Sequence, residues 1–233
     1  VSPSPVEPVT APHFGYRSLK AGSGETVKWV QIDLGCRRTV DSVRLWGAWP
    51  VDGSRFPGDG FPLRFKIAFS DEPTFSAAET AADLTGSDLP NPEMKPVRVP
   101  CVAATTRYVR LTATRLCGER TVQWDEQKGA YVPRPATANG KGQPEGWTLA
   151  LAEFEVFASG TNVARGCAVT ASDSQESPVV GWSKSFLTDG RTEGDLGGTH
   201  RHRPVTLLRR EFRVKRRCGG RSSAPRRWVA MKP

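Results

Sequence analysis

Trp29-Val30-Gln31-Ile32-Asp33-Leu34-Gly35 alternates strictly, and the rest of the chain is read outward from that alternation. Successive side chains of an extended strand point to opposite faces. Val30, Ile32 and Leu34 therefore share one side, and Trp29, Gln31 and Asp33 the other. The apolar side predicts a half-buried strand against a core. Gly35 supplies the backbone freedom for the chain to leave the sheet.

The same period recurs in short runs separated by breakers. Residues 40–46 (V-D-S-V-R-L-W) present Val40, Val43 and Leu45 as apolar members. Residues 63–69 (L-R-F-K-I-A-F) are the cleanest period-two strand, which Ser70-Asp71-Glu72-Pro73 turns. Residues 107–116 alternate again with Tyr108 or Val109 and Leu111 toward the core, and residues 148–157 supply a closing strand. Residues 76–95 suit a short helical or irregular excursion, after which 96–102 resume an extended path. The stretches 49–61 and 117–146 read as loops. No window carries an amphipathic helical period of any length. Many short strands with Gly/Pro turns predict an all-β sandwich.

The formal net charge of +9 misleads about the body of the chain. From Thr199 onward there are twelve Lys/Arg against Glu211 alone, which gives +11. Residues 1–198 hold twenty-one Lys/Arg and twenty-three Asp/Glu, or −2, so no overall basic surface follows. From Lys215 on the Arg-rich run has Trp228 as its sole aromatic, and there is no nucleic-acid-binding module upstream, which argues against nucleic-acid binding. The five cysteines show no C-x-x-C pair and no metal-like spacing, and read as free thiols. No apolar run reaches transmembrane length, and no signal segment opens the chain.

Five ordered blocks carry a resemblance. After W-V-Q-I-D-L-G come V-D-S-V-R-L (40–45), F-K-I-A-F-S-D-E (65–72), T-R-Y-V-R-L (106–111) and L-A-E-F-E-V-F (151–157). In that order they resemble the coagulation factor V/VIII type C, or discoidin-like, domain. The resemblance implies a jelly-roll β-sandwich that binds sugars, lipids or proteins through loops at one end, in a secreted or periplasmic setting. That family opens on N-x-A-x-G-x-x-V-T-A-S followed by D-G. No such block precedes Trp29; it stands downstream, as residues 162–172 with Asp189-Gly190. The boundaries expected are a Pro-rich extended segment 1–12, the sandwich 13–158, a partial second β unit 159–214 and a disordered or frame-shifted tail 215–233. Pro204 to Val214 resembles a phrase in the accessory region of bacterial α-L-rhamnosidase-type proteins. The nineteen residues after it have no periodicity, and a change of reading frame near Val214 would explain them.

No catalytic constellation stands out. G-x-S-x-G, H-E-x-x-H and a P-loop are all lacking. Glu153 and Glu155 lie two apart on one strand and read as a solvated face, since one strand cannot flank a glycosidic bond from both sides. Binding has better candidates. Trp46 and Trp49 frame a loop carrying Asp52, Arg55 and Asp59, and Trp124 and Trp147 lie in or beside the 117–147 loop. Indole faces stack on sugar C–H surfaces while Asp and Arg hydrogen-bond hydroxyls. Trp29, Trp46 and Trp147 can instead cap the core. Relatives often hold a structural calcium near the D-G turn, which only Asp189-Gly190 matches; no metal or other cofactor is expected. The leading expectation is a non-catalytic carbohydrate-binding module of a larger polysaccharide-active protein, its partner a plant or algal polysaccharide. The alternatives are the N-terminal part of an α-L-rhamnosidase-like hydrolase, and a protein or membrane adhesion module.

Overall fold

The computed structural model describes residues 13–49, 57–93, 95–118, 122–125, 127, 130–133 and 146–192. The Pro-rich segment 1–12 and everything from 193 on, including the frame-change reading near Val214, lie outside them. Thirteen strands follow in chain order: β1 (Tyr16–Arg17), β2 (Lys28–Trp46), β3 (Arg64–Ser70), β4 (Glu79–Leu84), β5 (Val97–Arg115), β6 (Cys117–Gly118), β7 (Val122–Asp125), β8 (Ala130–Pro133), β9 (Trp147–Thr148), β10 (Ala150–Leu151), β11 (Glu153–Ala158), β12 (Thr161–Asn162) and β13 (Ala168–Ala171). Every pair of these strands is antiparallel. Among the described residues helix is confined to two 3₁₀ turns, Pro178–Val180 and Lys184–Thr188, and no described helix is long and apolar enough to cross a membrane.

The fold is an all-β sandwich. Its large sheet runs β12-β11-β2-β5-β3-β4, with β13 alongside β2. Short pairs, β1 with β10 and β6 with β9, form the facing layer. One core joins Val30, Ile32, Leu45, Phe65, Ile67, Val109, Leu111, Phe154 and Val156 of the sheet to Tyr16, Leu116, Leu149 and Leu151 opposite. Alternation therefore sorted the faces of the opening strand correctly: Val30 and Ile32 are fully buried and Leu34 nearly so. The other face of that strand is polar. Arg107 grips Asp33 with two hydrogen bonds of 2.8 and 2.9 Å. Arg110 lies between the Trp29 and Phe75 rings, 4.4 and 3.9 Å from their centroids, so Trp29 is on the outer face and does not cap the core.

Three expectations change. Gly35 does not end the strand. With φ at +75° and its N–H donating to Asp33 Oδ1 at 2.8 Å, it starts a bulge, and the ladder resumes where Arg38 meets Thr106. A glycine in the left-handed region marks a bulge as well as a strand end. Within residues 76–95 the chain forms β4, an edge strand pairing with β3 through Ile67 and Ala82. The 117–146 loop contains β6 and the β7–β8 hairpin.

The boundary expected at residue 159 does not separate two packing units. A two-residue turn, Ser159 at φ +50° and Gly160 at φ +79°, joins β11 to β12, as hairpins with both central residues at positive φ do. Beyond it β13 enters the large sheet, with Ala168 opposite Asp33 and Val169 opposite Ile32. Ala164, Val169 and Leu187 lie in the same core as Val30 and Phe154.

Candidate functional site

Alternation places position 44 between the buried Val43 and Leu45, and position 155 between the buried Phe154 and Val156. Both side chains therefore face away from the core. The β2–β11 register sets Arg44 directly opposite Glu155. Arg44 contacts the carboxylate with both Nε and Nη2, the latter 2.7 Å from Oε1. Trp46 Nε1–H donates to Oε2 at 2.7 Å. Burial acts to raise the Glu155 carboxyl, but the hydrogen bonds from Arg44 and Trp46 outweigh it and hold the group below the usual glutamate range. The Arg44 guanidinium lies 4.8 Å from the Phe157 ring centroid and 5.6 Å from that of Trp46. Beside this row opens a cavity of about 430 Å³, lined by Ser42, Arg44, Arg98, Pro100, Phe157 and Gly160 among others. The Arg98 side chain is exposed, and its charge helps to hold the Glu155 carboxyl low.

A second cluster anchors the stem of the 47–60 loop. Gly58 N–H donates to Ala48 O at 2.8 Å, and a Cβ on Gly47 would come within 2.8 Å of Gly58 Cα. Phe14, Ala48, Ala150 and Trp182 make a small apolar cluster there. Asp59 is buried and faces Arg17, with Oδ2 and Nη2 3.9 Å apart, and Arg17 lies 5.4 Å from the Trp182 ring centroid. Asp59 is thus engaged within the fold. Trp49, half-buried, sits where the described part of the loop ends.

The remaining candidates are scattered. Trp147 packs against the main core, exchanges backbone hydrogen bonds with Ala21 and closes over Gly24. Trp124 belongs to β7, pairing with Tyr131, and its side chain is outside the described residues; Asp52 and Arg55 lie wholly outside them. Of the candidates whose side chains are described, Trp46 alone stands on the outer sheet face with Arg44; it contacts Glu155 and Arg44 and does not itself line the cavity. Sequence reasoning passed over Arg44, Arg98 and Phe157, although the alternation around positions 43–45 and 154–156 already exposes the Arg44–Glu155 pair. Arg17 and Trp182 had no local signal, since residues far apart in sequence build their environment.

Glu153 and Glu155 do not form a solvated face; both are buried. Residues 165–190 cover Glu153: Gly190 N–H donates to Oε1 at 3.1 Å, while Oε2 has no partner. Burial first, and the nearby Asp189 charge second, push the Glu153 carboxyl up to about 9. Glu153 is therefore neutral in the fold near pH 7, and Glu155 is occupied by Arg44 and Trp46. A calcium ion takes six to eight oxygens. Asp189 already bonds His13 through Oδ2 and Arg191 N–H through Oδ1, both at 2.8 Å, and the described residues gather no group of three or more His, Cys, Asp or Glu around a common point.

No protein-family model matches the sequence, and no curated protein is significantly similar to it. Among solved structures the chain is similar to chitosan-binding module 1 of a chitosanase/glucanase from a Paenibacillus species, at 21% identity and TM-score 0.34 over 61% of this chain and 76% of that one. It is similar to the C-terminal domain of a chitobiase from Bacteroides fragilis at 15% identity and TM-score 0.35, over 59% and 66% of the two chains. It is also similar to the lectin domain of lectinolysin, solved with Lewis B antigen, at 19% identity and TM-score 0.30 over 59% and 69%. At so small an overlap these similarities assign no ligand and no site to this chain.

Proposed function

We propose that this chain is a non-catalytic carbohydrate-binding module. The observation that carries the reading is the outer-face cavity of about 430 Å³ flanked by Arg44, Arg98, Pro100 and Phe157, with Trp46 held in line by Glu155. Its volume falls inside the range of small-molecule sites. Glu155 fixes the Arg44 fork and the Trp46 indole before any ligand arrives, which lowers the ordering cost of binding. Ring faces at Trp46 and Phe157 suit sugar C–H surfaces, and Arg98 offers donors to hydroxyls or to a uronate carboxylate. The two strand carboxylates support a binding role over hydrolysis: one is buried and neutral, the other already paired. Trp49, Asp52, Arg55, Trp124 and Trp147 remain candidates for further contacts along an extended chain of sugars.

The finer reading is a module of a larger secreted or periplasmic polysaccharide-active protein acting on plant or algal material. The rhamnosidase-like phrase at 204–214 supports a glycoside hydrolase as the parent. Affinity electrophoresis in gels cast with plant and algal polysaccharides tests the reading. Retardation by at least one polysaccharide, weakened in Trp46→Ala and Arg98→Ala, is expected. Unretarded migration in every gel overturns it.

A further inference from the structure

We propose that the outer-face cavity, read as a saccharide site, is selective for acidic sugars: it seats a uronate residue with its ring between Phe157 and Pro100 and its carboxylate on the Arg44–Arg98 pair. Strand register builds the seat. Ser42 of β2 stands opposite Phe157 of β11 on one side and opposite Pro100 of β5 on the other. It points outward with Arg44 and Trp46, since Val43 and Leu45 between them are buried. A small hydroxyl side chain between two rings leaves a trough across three strands, with Ser42 as its floor and Phe157 and Pro100 as its sides. Gly160 lines the same cavity, and a Cβ there would meet nothing within 4 Å, so this side is open. A volume of about 430 Å³ is near the lower end for small-molecule sites and suits a short stretch of glycan.

The neighbouring row of the ladder supplies the charge. Glu155, Arg44 and Arg98 stand side by side across β11, β2 and β5. Arg44 opposite Arg98 is a like-charge pair in direct cross-strand register, an arrangement that costs stability. Glu155 offsets one of the two charges, and its oxygens are already taken. Both meet the Arg44 fork, Oε2 also accepts the Trp46 indole N–H at 2.7 Å, and Oε1 accepts the Asn162 side-chain amide at 3.4 Å. Asp41 does not line the cavity, and its carboxylate accepts Ser42 Oγ–H at 2.6 Å and Ser159 N–H at 3.1 Å. The lining residues therefore carry two guanidinium groups and no carboxylate. A planar carboxylate presents two oxygens to such a fork, and it relieves the Arg–Arg repulsion that a neutral hydroxyl would leave in place. The ring that carries it lays its C–H surface on Phe157. The attraction is local, because residues 1–198 sum to −2.

The test is isothermal titration of the full chain with trisaccharides of galacturonate, glucuronate and mannuronate, each beside its methyl ester, which keeps the ring and removes the charge. At about 0.15 M salt at least one acid is expected to bind about ten-fold or more tightly than its own ester. Arg98→Gln, at an exposed position, is expected to bring that ratio below about three-fold. Arg226→Gln removes the same charge from the basic tail and is expected to leave the ratio unchanged. Equal binding of acid and ester leaves the saccharide site standing and overturns its acidic selectivity. So does a neutral polysaccharide that retards the chain when none of the three acids binds. A preference that survives Arg98→Gln and falls in Arg226→Gln belongs to the tail, and also overturns the proposal.

Discussion

Arg44 and Glu155 are direct partners in the β2–β11 ladder, and Arg44 binds the Glu155 carboxylate side-on while lying against the Phe157 ring. Glu155→Ala removes that anchor, strands the guanidinium and frees the Trp46 indole. The expected stability loss is about 1–3 kcal/mol at pH 7, below the value for a fully buried pair because Arg44 keeps some exposure. The Glu155 pKa lies below its unfolded value, so its contribution is fully present above the ordinary glutamate pKa and disappears as pH falls through the folded one. Urea titrations at pH 7 and pH 3 check both parts. The gap between wild type and variant should be open at pH 7 and narrowed in acid.

Glu153 has the opposite sign. Its folded pKa of about 9 exceeds the unfolded value, so the fold holds a proton that the unfolded chain releases at lower pH. The contribution is intact below the unfolded pKa, and the fold weakens as pH rises from there toward 9. Glu153→Gln keeps an acceptor for Gly190 N–H and removes the titration. The variant is expected to melt higher than wild type by on the order of 5 °C at pH 8 and to converge with it near pH 4. Scanning calorimetry across that range checks it.

Much of this was legible in the sequence. The faces of residues 29–34 followed from period two, because one residue of slip would have turned Ile32 out into water, whereas the choice between Tyr108 and Val109 was left open and packing puts Val109 with Leu111 in the core. The position of the bulge was not, because Gly35 gives the same local signal whether a strand ends or only bends. Glu79–Leu84 escaped because an edge strand whose buried member is Ala81 carries almost no apolar alternation. The Arg44–Glu155 pair was readable once the strands were in register. The Arg17–Asp59–Trp182 contact was not, since tertiary packing alone brings those three together.

The two kinds of glycine separate experimentally. A Cβ on Gly35 meets nothing within 4 Å, so Gly35→Ala pays only the cost of a positive φ, about 1 kcal/mol. A Cβ on Gly15 would stand 2.2 Å from Leu151 O and 2.5 Å from Ala152 Cα, so Gly15→Ala is expected to cost about 3 kcal/mol or more. Chemical denaturation of both variants should rank them in that order.

Asp59 is expected to act on folding, not on ligand. Asp59→Ala removes a buried carboxylate that faces the buried Arg17 guanidinium, and weakening a buried pair in this way is expected to cost about 3 kcal/mol at most. Saccharide affinity, measured on the folded fraction, should change by less than about two-fold. A selective loss of affinity at unchanged stability would move the ligand to the loop stem.

The outer-face cavity as a saccharide site is tested most directly by isothermal titration of the full chain with the polysaccharide that retards it most. Wild type, Arg98→Ala and Trp46→Ala should be compared at matched folded fraction. The account predicts at least a ten-fold loss of affinity in each variant, since each removes a contact worth about 1.4 kcal/mol or more. Wild-type affinity in both variants would contradict it.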